Sequence, residues 1–151
     1  MRYQVLVLLG LLLTSACSSS STSPSGPSPP PVNVTGTWSG NLNVQGTPAQ
    51  MTWTLTQQAD NSVTGPVLVL LPNGIVLMNG FLTGKLTGST LPYTISVGPG
   101  GIPALPACVG QLGGTMTATM ATTSTLSGNF AVTSSTCASP FSNGSLTLTK
   151  R

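Results

Sequence analysis

The sequence predicts an all-β protein, an antiparallel up-and-down barrel of about eight strands, with a two-sheet sandwich as the alternative. Apolar residues alternate with threonine at period two, as in the run from Met51 to Thr56 (MTWTLT), and this alternation is typical of strands with one buried face. Short turn signals separate such runs, and no segment has a sustained helical stripe. Strands without a covering helix bury their apolar faces against one another, and a closed barrel also removes exposed edges.

The strand-like runs follow one another with short connections. Asp60-Asn61 and Pro72-Asn73-Gly74 are typical hairpin turns. The outer positions carry Thr, Ser and Asn in place of charge, and threonine favours extended backbone while its hydroxyl stays hydrated. The predicted strands cover residues 35–44, 50–57, 62–71, 75–83, 90–97, 110–121, 126–134 and 142–149.

Scarcity of charge is the main constraint on function. The 151 residues include four Lys or Arg, one acid and no His, so that 3% are charged against about 25% in an average domain. Side-chain acid-base catalysis draws mostly on these missing groups, and Asp60 lies in a turn, where such side chains cap the local backbone. The composition predicts a protein that is not an enzyme and has no cofactor, no metal site and no nucleic-acid partner.

The N-terminal segment has the pattern of a secretory signal peptide. Arg2 precedes the apolar run from Val5 to Leu13, which is too short to span a bilayer and is followed by small residues. We therefore assign residues 1–16 to a cleaved leader outside the fold.

The end of this leader, Leu13-Thr14-Ser15-Ala16-Cys17, resembles the lipobox of bacterial lipoproteins. The resemblance implies cleavage before Cys17, a diacylglycerol on its sulfur and an acyl chain such as palmitate on its amino group. Ser18 implies sorting to the outer membrane of a Gram-negative bacterium. Several acyl chains anchor a protein stably where one binds reversibly. The alternative is an ordinary secreted protein cut near Ala16.

Residues 17–32 (CSSSSTSPSGPSPPPV) are rich in Ser and Pro. They have almost no apolar side chains to repay ordering, and their prolines favour an extended chain. We predict a disordered tether that holds a single domain, residues 33–151, away from the bilayer.

Gly36-Thr37-Trp38 is similar to the GxW motif that opens the barrels of calycins such as lipocalins and avidins. The resemblance implies that Trp38 plugs one barrel end beneath a cation near the last strand, either Lys150 or Arg151. It also implies a pocket for a small apolar molecule, to which Trp53 is a further candidate contributor. Side chains that fill the barrel interior are the alternative.

Cys108 and Cys137 remain after Cys17 is assigned to lipid. Exported proteins meet an oxidising compartment, and a hairpin joining the sixth and seventh strands brings these two positions together. We predict a structural disulfide.

The run from Pro66 to Leu82 (PVLVLLPNGIVLMNGFL) breaks the alternation, because both faces of this hairpin are apolar. Two explanations remain open. Either the apolar loop from Gly98 to Ala107 covers the outer face, or residues Val67 to Leu82 contact lipid or a protein partner. The sequence as a whole predicts a lipid-anchored envelope protein whose barrel is a binding or interaction module, with a carrier of a small apolar ligand as the alternative.

Overall fold

The computed structural model describes residues 31–151, apart from residues 45, 121–123 and 138–140 and the side chains of residues 44 and 141–143. The leader, Cys17 and most of the predicted tether lie outside the described residues. Eight strands follow: β1 (Gly36–Val44), β2 (Thr47–Gln57), β3 (Ser62–Leu70), β4 (Val76–Lys85), β5 (Thr90–Val97), β6 (Gly110–Thr119), β7 (Thr125–Ser135) and β8 (Phe141–Lys150).

These strands form a closed barrel in sequence order, and every neighbouring pair is antiparallel. The ring closes where β1 pairs with β8, through Trp38 opposite Lys150 and Ser39 opposite Thr149. The predicted up-and-down barrel is therefore confirmed, and its strands lie within a few residues of the predicted bounds. Among the described residues there is no helix that is long and apolar enough to cross a bilayer.

The core is the inner face of the barrel, because alternate residues of each strand point inward. In β2 the inward side chains of Met51, Trp53 and Leu55 are buried, whereas Thr52, Thr54 and Thr56 between them are half-buried or exposed. The alternation read from the sequence thus sorts the two faces correctly. Other large side chains of the core are Trp38, Leu82, Leu91, Ile95, Met116, Leu126 and Leu148.

Glycines allow neighbouring strands to approach closely where the barrel wall bends. At Gly65 in β3, an added Cβ would collide with the carbonyl oxygen of Thr54 in β2. At Gly144 in β8, an added Cβ would collide with the ring of Phe130, which lies over this glycine from β7. Glycine is therefore required at these two positions for the close packing of the barrel wall.

A β-bulge explains why the periodicity fails in the hairpin of β3 and β4. Val69 pairs with Met78, but the next residue, Leu70, pairs with Val76, so the register shifts by one and Leu77 is the extra residue. A bulge places one more residue on one strand than on its partner. Leu77 and Met78 consequently both pack against the core although they are adjacent in sequence.

Asp60 has the structural role in the β2–β3 turn that its sequence context predicts. Its Oδ1 accepts a hydrogen bond from the hydroxyl of Ser62 at 2.6 Å and another from the backbone N–H of Ser62 at 3.0 Å. These two bonds lower the pKa of the Asp60 carboxyl, since they favour its charged form. Asn61 supplies the positive φ of the turn, 65°.

We predict that Gly65→Ala reduces the free energy of unfolding by about 1–3 kcal/mol, because the methyl group meets backbone that cannot move without distorting β2. Equilibrium denaturation in urea measures this loss. Gly98→Ala is the matched control, because an added Cβ there has nothing within 4 Å and should change the free energy of unfolding by less than about 0.5 kcal/mol. Equal effects of the two substitutions would contradict the packing role assigned to Gly65.

Candidate functional site

Trp38 closes one end of the barrel, which we name the Trp38 end. Its side chain is fully buried, and its indole Nε1–H donates a hydrogen bond of 2.7 Å to the carbonyl oxygen of Val34. The Nζ of Lys150 lies 5.4 Å from the centroid of the indole ring, within the range of a cation–π contact. The structure thus brings Trp38 and Lys150 together as the GxW resemblance implies.

Arg151 lies beside this contact and binds the same strand. Its Nε donates a hydrogen bond of 2.6 Å to the hydroxyl of Ser39, and its backbone N–H donates to the carbonyl oxygen of Thr37 at 2.9 Å. Of the two candidate cations it is therefore Lys150 that lies over the indole ring, while Arg151 binds the edge of β1.

Trp53 lies opposite Trp38 in the register of β1 and β2 and is fully buried. Its ring centroid is 4.9 Å from that of Tyr93 in an edge-to-face arrangement. The Tyr93 hydroxyl donates a hydrogen bond of 3.1 Å to the carbonyl oxygen of Asn129. Burial raises the pKa of Tyr93 well above its usual value, because the phenolate would lose its hydration. Within the described part of the chain, the Nε1–H of Trp53 has no hydrogen-bond partner.

Residues 98–109, which we name the roof, connect β5 to β6 at the opposite end of the barrel. Ile102 of the roof packs against the core, while Leu105 remains 54% exposed. The carbonyl oxygen of Gly101 accepts a hydrogen bond of 2.7 Å from the backbone N–H of Asn79 in β4. The roof is therefore attached both to the wall and to the interior, and this end of the barrel is called the roofed end below.

The predicted disulfide between Cys108 and Cys137 is confirmed, with the two Cα atoms 5.7 Å apart. Cys108 lies near the C-terminal end of the roof, where it is buried, and Cys137 follows the end of β7. The bond therefore ties the C-terminal end of the roof to the end of β7, the strand that neighbours β6.

A cavity of about 190 Å³ lies beneath the roof. Residues of β4 to β7 and of the roof line it, including the exposed Gln111 and Ser134, so it is partly open to solvent. None of its lining residues is ionisable, because its two cysteines are joined in the disulfide. A dry apolar cavity of about 150 Å³ in another protein holds a benzene molecule. The main apolar lining residues are Met78, Val97, Ile102, Leu105, Leu112 and Val132.

A second opening lies in the wall between β1 and β8. These strands pair only at Trp38 and Ser39, so beyond Gly40 their edges separate toward the roofed end. The groove between them is lined by two asparagines, a serine, a glycine and the side chains of one leucine and one phenylalanine: Asn41, Leu42, Asn43, Phe130, Gly144 and Ser145. We name this opening the lateral groove, and its lining is both polar and apolar.

The outer face of the β3–β4 hairpin is only partly covered. Ile75 is 57% exposed and Phe81 is 49% exposed, whereas Leu68 and Leu70 are half-buried. The roof, which the sequence suggested as a cover for this face, contacts the barrel interior and the backbone of Asn79 and leaves Ile75 and Phe81 exposed.

The sequence analysis left a pocket for a small apolar molecule open as one alternative, but it did not place that pocket beneath the roof, although a signal for this position was present. Ile102 and Leu105 stand between glycines and prolines in a segment that the disulfide closes. Apolar side chains in such a constrained segment require a partner surface, and an end of a barrel is the nearest one. None of the described residues forms a cluster of three metal-ligating side chains, so the arrangement offers apolar contact and backbone hydrogen bonds.

No protein-family model and no curated protein matches the chain. Among solved structures, the chain is similar to a redesigned β-barrel, mFAP1, in a complex with DFHBI. The TM-score is 0.50 at 17% sequence identity, and the match covers 78% of this chain and 94% of that one. At this identity the likeness shows the fold, a closed antiparallel barrel of eight strands.

We predict that the protein loses stability in alkaline solution because of Tyr93. An exposed tyrosine ionises near pH 10, whereas the buried Tyr93 stays neutral, so the unfolded chain binds fewer protons above that pH. The free energy of unfolding therefore falls as the pH rises past about 10, by about 1.4 kcal/mol per pH unit.

The control is Tyr93→Phe, which loses one hydrogen bond, at a cost of about 1 kcal/mol, and also loses this part of the pH dependence. Urea denaturation at a series of pH values measures both. An unchanged alkaline slope in Tyr93→Phe would contradict the assignment.

Proposed function

We propose that this chain is a lipid-anchored envelope protein that binds a small apolar molecule at the roofed end of its barrel. The observation that supports this function best is the cavity of about 190 Å³ between the roof and the inner wall. Binding sites for small molecules are concave and mostly apolar, with few polar groups. This cavity has those properties, and its volume suits a ligand somewhat larger than a benzene ring.

The packing of the barrel favours one binding end. At the Trp38 end, Trp38, Leu91, Leu126 and Leu148 are fully buried and fill the interior. At the roofed end, Met78, Leu112 and Val132 are only half-buried, because the space between them and the roof is not filled by side chains. The packing therefore favours an interior filled by side chains at the Trp38 end and a ligand pocket at the roofed end.

The similar structure supports the same function by analogy. The redesigned β-barrel mFAP1 was solved with DFHBI bound, so a barrel that aligns with this chain over 94% of its own length holds a ligand. The GxW motif of this chain and the position of Lys150 over Trp38 are likewise features of calycin barrels, and we propose that this barrel is calycin-like.

Lipid attachment at Cys17 is part of the proposal. Cys108 and Cys137 bond to each other, so Cys17 is the one cysteine of the sequence left for a lipid. Its lipobox and the Ser18 that follows support an anchor in the outer membrane. The scarcity of ionisable groups supports a role in binding without catalysis.

Ligand binding is tested with toluene as a probe of the cavity. At a toluene concentration ten times its dissociation constant, the protein should gain about 1.4 kcal/mol in free energy of unfolding, read as a rise in melting temperature. Val132→Phe should abolish this gain, because its larger side chain occupies the cavity that Val132 lines.

Thr117→Phe is the matched control, since Thr117 is an exposed outer residue of β6 at the other end and the same aromatic group there leaves the cavity empty. Stabilisation that persists in Val132→Phe would contradict binding beneath the roof. If the toluene test supports binding, native mass spectrometry of protein purified from its host identifies a natural ligand by the added mass of the complex.

The anchor is tested by labelling cells that express the protein with radioactive palmitate. The wild-type protein should incorporate the label and Cys17→Ala should lose it, since the thiol is the proposed attachment point. Cys108→Ala with Cys137→Ala is the control and should keep the label. Label retained by Cys17→Ala would show that the lipobox assignment is wrong.

A further inference from the structure

The charged side chains of the barrel all lie at one end. Asp60 is in the turn between β2 and β3, Lys85 ends β4, and Lys150 and Arg151 end the chain beside Trp38. These four positions belong to the Trp38 end, and the remaining cation of the sequence, Arg2, lies in the leader. The Trp38 end thus carries three cations and one acid.

The roofed end has no charged residue in any of its connections. By sequence, residues 44–48, 70–76, 97–110 and 134–142 contain no Asp, Glu, Lys, Arg or His. Removing such an end from water avoids the large cost of dehydrating an ion. The barrel is therefore polarised, with a positive end and a neutral end.

Apolar side chains protrude from connections at the neutral end. Ile75, directly after the β3–β4 turn, is 57% exposed, and Leu105, in the roof, is 54% exposed. Among the side chains that the structure describes, two other large apolar residues are exposed, Phe81 on the side wall and Met120 after β6 at the Trp38 end. Ile75 and Leu105 are thus the two that stand on loops at one end of the molecule.

The shape of this end favours a lipid bilayer over a folded protein as its partner. A stable protein interface needs about 800 Å² of complementary surface on each partner, whereas Ile75 and Leu105 protrude from separate loops. A bilayer is a fluid apolar solvent that accepts protruding side chains without complementary shape, and proteins that lie in its interface insert apolar groups by about 5–10 Å.

The tether is long enough for this contact. Residues 18–30 separate Cys17 from the first described residue, Pro31, and at about 3.1 Å per residue in an extended chain they span about 40 Å. A strand of ten residues spans about 33 Å, and less when it is tilted in a barrel. The tether enters at the Trp38 end and still allows the roofed end to reach the bilayer that holds the anchor.

We propose that the roofed end docks on the surface of the anchoring bilayer, with Ile75 and Leu105 inserted among the lipids. This inference rests on the proposed lipid anchor, which keeps the barrel near the membrane. Docking turns the cavity beneath the roof toward the acyl chains, so that an apolar ligand exchanges between the bilayer and the barrel without crossing water.

The test uses the full chain purified from membranes and reconstituted into phosphatidylcholine vesicles, with and without lipids brominated in their acyl chains. Ile75→Trp and Leu105→Trp each add one indole at the roofed end, while the native Trp38 and Trp53 are fully buried and give a constant background. Brominated lipid should remove roughly half or more of the added fluorescence, because the inserted indoles lie at the depth of the upper acyl chains.

Met120→Trp is the matched control, since it places the same indole on an exposed apolar position at the Trp38 end. Its fluorescence should respond to iodide in water and not to brominated lipid. Equal quenching at both ends, or quenching at neither, would overturn the docking.

Lipid charge provides an independent readout. Docking through the neutral end predicts the same quenching in neutral vesicles and in vesicles containing phosphatidylglycerol, at low and at high salt. Quenching of Met120→Trp that requires the anionic lipid would show that the positive Trp38 end faces the membrane, and would overturn the proposal.

The outcomes separate this inference from the proposals on which it rests. If the protein binds vesicles but the indoles of Ile75→Trp and Leu105→Trp are not quenched, the anchor is supported and the docking is contradicted. Palmitate label that Cys17→Ala retains, together with quenched indoles, would remove the anchor at Cys17 and retain the docking. Quenching that falls as the protein is diluted in lipid would indicate contact between copies, and would also contradict the docking.

Discussion

Closure of the sheet between β1 and β8 is the constraint on which the rest of the barrel depends. Only Trp38 with Lys150 and Ser39 with Thr149 pair across this seam, yet they join strands from opposite ends of the domain. The contact of Lys150 Nζ with the Trp38 ring adds to this closure, and Gly36 leaves room for the Lys150 side chain, whose Cε an added Cβ would meet at 2.8 Å. Tight closure at the Trp38 end leaves the opposite ends of β1 and β8 separated, which forms the lateral groove.

The regular part of the fold could be predicted because its cause is local. Inner and outer residues alternate along a strand, so Met51, Trp53 and Leu55 identify the buried face of β2 without knowledge of its neighbours. The turns at Asp60-Asn61 and at Asn73-Gly74 are equally local, since their backbone and side-chain bonds lie within a few residues. The pairing of Cys108 with Cys137 followed from the number of cysteines and the order of the strands.

The architecture of the roofed end could not be predicted, because it depends on contacts between distant parts of the chain. The bulge between Val69 and Leu70 depends on the register of β3 against β4, and it leaves Leu77 beside the core, where alternation places an outer residue. The roof contains glycine, proline and a few apolar residues, a composition typical of many loops. Whether Ile102 covers an outer face or a barrel end depends on the hydrogen bond between Asn79 and Gly101 and on the disulfide.

The threonine-rich outer wall has a consequence for the kinetics of recognition. The side of the barrel carries no charge of its own, so a molecule that approaches it away from the positive Trp38 end is not steered electrostatically. Its association proceeds at the slower rates of neutral encounters, about 10⁵–10⁶ M⁻¹s⁻¹ for proteins. The wall discriminates neither for nor against passing macromolecules by their charge. Most encounters with the side of such a barrel therefore do not lead to binding. How long a molecule stays bound depends on short-range contacts at the two ends of the barrel.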